Sequence, residues 1–410
     1  MQTSTLYLCY FGLREPLVQT QVLPYLRELA ASETRVSLLT FEPSLRQSWT
    51  PEQLREETAR LASDRIRWSQ LEYHKRPSIP ATFYDVLAGA RFAAREVRRG
   101  RVSVLHARAH VPMAMALAAR AVTRCRTIFD IRGLMADEYA DAGVWPEGSL
   151  PFRLVKRLEH AGIRRADRLV VLTRRMRDWL VAEGHAPADK IEVIPCCVDF
   201  SRYAPRGEAG SARTSSGGDG EGRFEVVYAG SVTGLYLLEE MGRFFREVRA
   251  REPRAFLRIL TKSPADEAAA VLRRAGVEAA DFWVGGVPAK EVPAYLAGAR
   301  LGLSFRKPTF SQIAASPTKI PEYLAAGLPV VSNTGIGDTD ELIESERVGV
   351  LVREFDAASL AKAADAALAL ARDASMAARC LDAARRHFDL RTVGGVRYRN
   401  VYRRLEEAGC

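Results

Sequence analysis

Residues Ser316–Asn333, SPTKIPEYLAAGLPVVSN, decide how the 410-residue chain is read. Thr318 is placed to cap a helix whose first turn holds Lys319, Ile320 and Pro321. Pro321 falls where an amide donor would be orphaned anyway. Gly327 ends the helix and Pro329 opens an apolar strand. Such a helix start presents backbone amides and a partial positive charge, which suits phosphate. Lys319 adds a full charge. Glu322, three residues on and on the same face, can accept hydrogen bonds from a ribose diol. A solvated lysine and a glutamate that merely favours the helix dipole would leave the same pattern, so both readings stand open here.

The alternation of strand and helix extends in both directions. In the first half, apolar runs at Leu6–Phe11, Val36–Phe41, Val102–Ala107, Thr127–Ile131, Arg168–Thr173 and Ile191–Pro195 predict strands. In the second, Phe224–Ala229, Phe256–Thr261, Asp281–Val284, Leu301–Phe305, Pro329–Ser332 and Val348–Val352 do so. The pattern predicts an α/β protein with two doubly wound, Rossmann-like parallel sheets. Between the halves, RGEAGSARTSSGGDGEGR (206–223) has the Gly and Ser content of a flexible linker. The expected organisation is a first domain over 1–205, this linker, a second domain over 224–384, and a helical tail over 385–410. The tail offers Phe388, Tyr398, Val401 and Tyr402 for packing back on the first domain. In such sheets ligands sit beyond the carboxyl ends of the strands, at the cleft between the two domains.

Composition narrows the function. Lys and Arg total 60 against 50 for Asp and Glu, a formal charge of +10. That charge suits a phosphate-rich ligand, an anionic membrane surface or nucleic acid. A nucleic-acid recognition motif is missing and the charge is spread over helices, so nucleic acid is not an expected partner. No apolar run reaches the ~18 residues of a membrane span, and the opening residues lack the basic region of a secretion signal. The six cysteines form no CxxC pair, which argues against a structural zinc site and for a reducing compartment. A cytoplasmic protein is expected, with peripheral contact at the inner membrane face a candidate. Two basic stretches bear on that contact, one at Arg91, Arg95, Arg98, Arg99 and Arg101, the other at Lys156, Arg157, Arg164, Arg165 and Arg168.

SPTKIPEYLAAGLPVV, followed by GIGDTDELIESERVGVLV (Gly335–Val352), resembles the donor-sugar segment of family 4 glycosyltransferases of the GT-B fold. The likeness continues in AGIRRADRLVVLTRRMRDWL (Ala161–Leu180), KIEVIPCCVDFSRYAP (Lys190–Pro205) and VYAGSV (Val227–Val232). It implies a retaining transferase that takes a sugar from a nucleoside diphosphate, UDP- or GDP-linked, to a hydroxyl acceptor. A glycan or lipid-linked glycan of cell-surface polysaccharide synthesis is the expected acceptor. By the same likeness Glu322 is the second glutamate of an E-x7-E pattern and holds the ribose; the first falls on Ala314. Ser316 is then expected to serve the sugar end, and Lys319 with the amides of Thr318 and Lys319 to bind diphosphate.

The Arg and Lys that many members carry after the first strand of the second domain are missing in GSVTGLYLLEE, which follows the strand end at Gly230 with Ser231 and Thr233 and no basic residue before Arg243. Lys319 and, each just past a strand end, Lys262 and Arg306 are the candidate replacements, since a departing diphosphate needs cationic or amide stabilisation; an exposed loop cation is the other reading of Lys262 and Arg306. Gly286 and Val287, in VGGVPAKE, resemble the loop that holds the base. In the first domain Gly12 is a partial match to a glycine-rich loop. His106 stands open between two readings, a group near the reacting sugar and a satisfied core histidine; Arg132, which cannot serve as a base, is the candidate there for binding acceptor or phosphate, with Arg14, Arg108, Asp130 and Glu138 on the acceptor side. No metal or other cofactor is expected. Asp338-Thr339-Asp340 is read as capping of the following helix rather than as a metal-binding DxD motif. A nucleotide-sugar 2-epimerase and a non-catalytic nucleotide-sugar binder are the alternatives.

Overall fold

The computed structural model describes residues 3–32, 34–203 and 222–407. Contacts divide the chain into two units, Met1–Ala140 with Val144–Pro195 and Leu390–Cys410, and Asp141–Gly143 with Cys196–Asp389. In the first, strands β1 (Ser4–Cys9), β2 (Arg35–Pro43), β3 (Ile66–Tyr73), β4 (Val104–Arg108), β5 (Arg126–Asp130), β6 (Arg168–Val171) and β7 (Ile191–Val193) form one sheet. Their order is β3-β2-β1-β4-β5-β6-β7, and every pairing is parallel. The second sheet holds β8 (Phe224–Ala229), β9 (Ala255–Leu260), β10 (Phe282–Gly285), β11 (Leu301–Ser304), β12 (Val330–Asn333) and β13 (Gly349–Val352). Its order is β10-β9-β8-β11-β12-β13, again all parallel. Both units are Rossmann-like, as the alternation of strand and helix predicts.

Both faces of each sheet are covered, so the strands read as apolar runs. In β8, Phe224, Val226 and Tyr228 enter one core with Phe244, Phe245 and Leu303, while Val227 enters the other with Ile320, Tyr323 and Leu324. This is the period of two of a strand buried on both sides. Burying one such Phe or Leu contributes about 1.5–3 kcal/mol.

Three expectations change. β3 is absent from the predicted strands. It is the edge strand, and only Ile66 and Trp68 are buried while Arg67 between them is exposed. The first unit ends at Pro195 rather than 205, because the Cys196 amide donates to Ser316 Oγ (3.1 Å) and the Val198 amide to Phe388 O (2.8 Å). The tail starts at Leu390 rather than 385. Arg385–Phe388 complete the helix Met376–Phe388, and Arg386 and His387 both pair with Glu346. The tail helix Val396–Glu407 belongs to the first unit, with Tyr398 Oη donating to Asp130 Oδ2 (3.0 Å) and Tyr402 Oη 2.9 Å from Thr5 Oγ1. Of the expected linker, 206–221 lies outside the described residues.

Candidate functional site

In the second unit the site begins with the helix Lys319–Ala325. Its seat on the sheet is made by Tyr323. A Cβ on Gly302 would collide with the Tyr323 ring, so only glycine in β11 lets that ring lie flush. The Tyr323 hydroxyl donates to Leu303 O (3.1 Å) and accepts from the Ala229 amide (2.9 Å), which ties the helix to β11 and β8. Gly327 (φ 72°) closes the helix, with the Gly327 amide donating to Leu324 O and the Leu328 amide to Tyr323 O, both 2.9 Å. Thr318 occupies the first position in a right-handed helical conformation (φ −56°, ψ −27°), so its hydroxyl cannot reach back and makes no capping bond. That corrects the expected cap. The amides of Thr318 and Lys319 find no acceptor among the described residues.

This seat holds Lys319 at the carboxyl end of β8. Its side chain is 4% exposed, its Nζ lies 4.6 Å from the Tyr236 ring centre and 5.0 Å from that of Tyr228, and it makes no ion pair with the described residues. A Cβ on Gly230 (φ 140°) would sit 3.4 Å from Lys319 Cε and 3.5 Å from its Nζ, so the lysine passes over bare backbone. Burial pushes the Lys319 ammonium below the ordinary lysine range; Tyr236 and Glu322 oppose this and Arg306 adds to it. Arg306 also lies over Tyr236, its guanidinium 4.9 Å from the ring centre, and its Nε is buried without a hydrogen-bond partner. Two cations therefore lie over one aromatic ring, and the nearer one forms no ion pair among the described residues.

Glu322 lies one turn along, 18% exposed, with Arg202 Nη1 4.0 Å from its Oε1. Burial raises its carboxyl, offset in part by Arg202 and then Lys319. Arg202 also donates to Ala289 O (3.1 Å), joining Glu322 to the loop after β10. Ser316 Oγ is engaged by the Cys196 amide, and Ala314 is fully buried. Lys262 and Gly286 follow β9 and β10 along the same edge, both exposed, with Val287 half-buried; a Cβ on Gly286 would lie 3.3 Å from Thr261 O. Ser231 is exposed, its Oγ 3.3 Å from Thr233 Oγ1. The structure thus brings Gly230, Arg306 and Lys319 together with Glu322 on the same helix, and sets Lys262, Gly286, Val287 and Ser231 along the same sheet edge. Tyr228, Tyr236 and Arg202 are the neighbours that sequence reasoning missed; the signal for Arg202 was its place in KIEVIPCCVDFSRYAP.

Asp338 makes no side-chain cap either. It is Asp340 that accepts from the Gly335 amide (3.0 and 3.2 Å), closing the turn before the helix Thr339–Glu346. No group of three or more His, Cys, Asp or Glu side chains arranged for a metal occurs among the described residues.

In the first unit, several expected site residues form a buried network instead. His106 is fully buried in β4, its Nδ1 2.8 Å from Tyr402 Oη and its ring against Tyr7 (4.4 Å between centres). Burial lowers its pKa, with Asp130 opposing. A side chain enclosed by the tail helix cannot meet a reacting sugar, which removes His106 from the reacting groups. Asp130, also fully buried, accepts from Tyr398 and lies 3.4 Å from Arg132 Nη1 and 3.6 Å from Arg108 Nη1. Burial would raise its carboxyl, but Arg132, His106 and Arg108 outweigh that and hold it well below the carboxylate range. Asp130 and the buried Arg108 are therefore internal counter-charges rather than acceptor contacts. The physical reason is strand alternation, which turns these side chains onto the sheet face under the tail.

Arg132, 11% exposed, is the member that still reaches the surface. Glu138 packs over Gly133, where a Cβ would collide with its carboxylate. Gly12 backs onto Glu42, with a Cβ position 2.9 Å from Oε2, and Arg14 stacks on Trp49 (3.7 Å) while donating to Ser48 O. A cluster not anticipated lies beyond β3. His74 Nδ1 is 2.6 Å from Oδ1 of the fully buried Asp85, which also accepts from Tyr10 Oη (2.7 Å).

The comparisons agree with this architecture. The family model Glycosyltransferase Family 4 matches residues 18–202, and the model Glycosyl transferases group 1 matches 223–369. No curated protein matches the sequence significantly. Among solved structures, sucrose-phosphate synthase from Thermosynechococcus elongatus superposes with a TM-score of 0.75 at 16% identity, covering 99% of this chain and 100% of that one. The HepE protein of Anabaena, in complex with UDP-glucose, gives 0.67 at 15% identity, covering 98% and 99%. A putative UDP-N-acetylglucosamine 2-epimerase from Listeria monocytogenes gives 0.60 at 12%, covering 100% and 97%. At such identities the likenesses speak for the fold. With one family model on each unit and both sheets in this topology, the chain belongs to the GT-B glycosyltransferases of the family 4 type.

Proposed function

We propose that the enzyme moves a sugar from a nucleoside diphosphate, UDP- or GDP-linked, to a hydroxyl of a glycan or lipid-linked glycan in cell-surface polysaccharide synthesis, with retention and without an obligatory metal. The observation that carries this reading is the buried Lys319 ammonium, unpaired and laid over Gly230, beside the unsatisfied Nε of Arg306. A diphosphate is the anion that would satisfy both, together with the open amides of Thr318 and Lys319. Glu322, held by Arg202, would take the ribose hydroxyls, and the Gly286–Val287 backbone the base. The HepE complex with UDP-glucose supports a uridine donor by analogy of fold.

In the reaction the bond from the anomeric carbon to the diphosphate oxygen breaks while the acceptor oxygen bonds to the same face. The acceptor proton passes to the departing oxygen. Lys319 and Arg306 stabilise the charge that develops there, and the protein contributes position more than covalent chemistry. The likeness to a 2-epimerase is one of fold and brings no residue that favours that reading. The test is a thermal-shift screen with UDP, GDP, ADP, CDP and dTDP, followed by NMR of the product formed from the sugar of the best ligand. One nucleotide standing out, and an α-linked product from an α-linked donor, are the expected results. No shift with any of the five, or an inverted product, refutes the proposal.

A further inference from the structure

Right-handed crossovers place the helices Ser78–Arg98, His110–Thr123 and Leu150–Arg165 in one layer on one face of the first sheet, each starting at its carboxyl edge. Their sequences hold three acidic residues, Asp85, Glu96 and Glu159, and all three are buried, at 0%, 2% and 1% exposure. The acids are also spoken for: Asp85 by Tyr10 and His74, Glu96 by Arg67, Arg99 and Arg101, Glu159 by His110 and Lys156. This changes the basic stretches read from sequence, since Arg99, Arg101 and Lys156 are counter-ions of the fold. On these three helices the exposed charge is all basic; the next helix of that face, Arg174–Ala182, exposes Asp178 paired with Arg177. The helix Pro51–Ser63, on the opposite face of the sheet, exposes Glu52, Glu56 and its own arginines in mixture.

The apolar part is concentrated. Ile79, Phe83 and Leu87 follow one another at every fourth position of the helix Ser78–Arg98 and are 58%, 64% and 51% exposed, with Tyr84 beside them at 59%. Arg91 and Arg95 continue the same row, and Lys75 and Arg76 precede it. Two helices away in the layer, Leu150 (58%) and Leu154 (46%) open the helix Leu150–Arg165 with Arg153 and Arg157 between and after them. Glu147 is the exposed acid in the loop just before it. Four large apolar side chains in water on one helix is a patch that a monomer surface does not keep without use. Apolar side chains rimmed by arginine with no exposed acid on the same helices match an anionic bilayer, which takes both in one contact. Nucleic acid would reward the arginines and leave Ile79, Phe83 and Leu87 in water.

We infer that the first unit docks on an anionic lipid bilayer through this layer, with Ile79, Phe83 and Leu87 in the headgroup–acyl boundary and Arg91, Arg95, Arg153 and Arg157 on lipid phosphates. Both apolar groups lie in the opening turns of their helices, at the carboxyl edge of the sheet. That edge would face an acceptor carried on lipid; only this last point rests on the proposed function, and the docking does not.

The test is co-sedimentation of the full chain with vesicles of phosphatidylcholine alone and with phosphatidylglycerol added, at low and physiological salt. The wild-type protein is expected to sediment with the anionic vesicles only. F83S/L87S should lose about tenfold or more in affinity at physiological salt. R91Q/R95Q should lose about 25-fold at low salt, from about fivefold for each arginine. All four side chains are exposed, so both variants should keep the melting temperature and nucleotide shift of the wild type. That shift is also the separate readout of the donor site: its absence in the wild type would count against the proposed function, while the vesicle result judges the docking. Failure to bind anionic vesicles, equal binding to both compositions, or unchanged binding by either variant overturns the inference. So does capture of poly(U) with an affinity that exceeds vesicle binding and is indifferent to F83S/L87S, which would mark a nucleic-acid surface.

Discussion

Replacing Lys319 by Met keeps the length and stem of the side chain and removes the charge. If Lys319 waits for an anion, apo stability and ligand stability must move apart. In the apo protein the ammonium is 4% exposed, has two aromatic faces near it and no carboxylate paired with it. Its depressed pKa says that burial outweighs the attractions of Tyr236 and Glu322. An unpaired buried ion costs several kcal/mol, of which the two ring contacts return about 2. The apo melting temperature of K319M should therefore hold or rise. The ligand side runs the other way. Losing one partner of a buried charge pair costs about 2–5 kcal/mol, roughly 30- to 4,000-fold in affinity. At 100-fold the dissociation constant, nucleotide stabilises the wild type by about 2.7 kcal/mol, or roughly 5–10 °C for a unit of this size. The same concentration leaves K319M with about 0.9 kcal/mol at most, a shift of about 3 °C or less. Differential scanning fluorimetry with and without nucleotide reads both numbers. An apo melting temperature lowered by more than about 4 °C, or a wild-type nucleotide shift in K319M, would show that the lysine holds the fold together and not a ligand.

Because burial lowers the Lys319 pKa, nucleotide affinity should begin to fall below pH 10.5, the ordinary lysine value, as the ammonium deprotonates. K319R should carry that fall to higher pH, which titration calorimetry across pH 7–10 checks. Tyr398→Phe removes a hydrogen bond to the charged Asp130, a loss of about 1.5–3 kcal/mol and roughly 3–10 °C in the melting of the first unit. His106, whose folded pKa lies below its unfolded one, binds its proton more readily when unfolded. Its stabilising share is present above the unfolded pKa and is lost as pH falls through it. The drop in melting temperature between pH 7.5 and 5.5 should therefore shrink in H106Q, and its donor turnover, corrected for folded fraction, should match the wild type.

Fold and donor helix were legible because their signals are local. Parallel strands covered on both faces are continuous apolar runs, and the Pro321–Gly327–Pro329 punctuation bounds one short helix. β3 escaped because only alternate residues of an edge strand need be apolar, as Ile66 and Trp68 are. The acceptor side escaped for a different reason. His106 and Asp130 stand where strand ends suggest a site, yet their partners Tyr398 and Tyr402 come from the far end of the chain. Nothing near His106 announces that a tail helix will cover it. The aromatic wall of Tyr228 and Tyr236 around Lys319 was likewise invisible, since it needs the path of the loop after β8.

The most direct test of the donor site is release of the nucleoside diphosphate that the protein binds from its nucleotide sugar, with E322A and K319M in the same assay. The account predicts steady release by the wild type and a loss of about 100-fold or more in both variants, with the fold intact by circular dichroism. Turnover that survives in both would place the chemistry away from the Lys319–Ala325 helix and contradict the account.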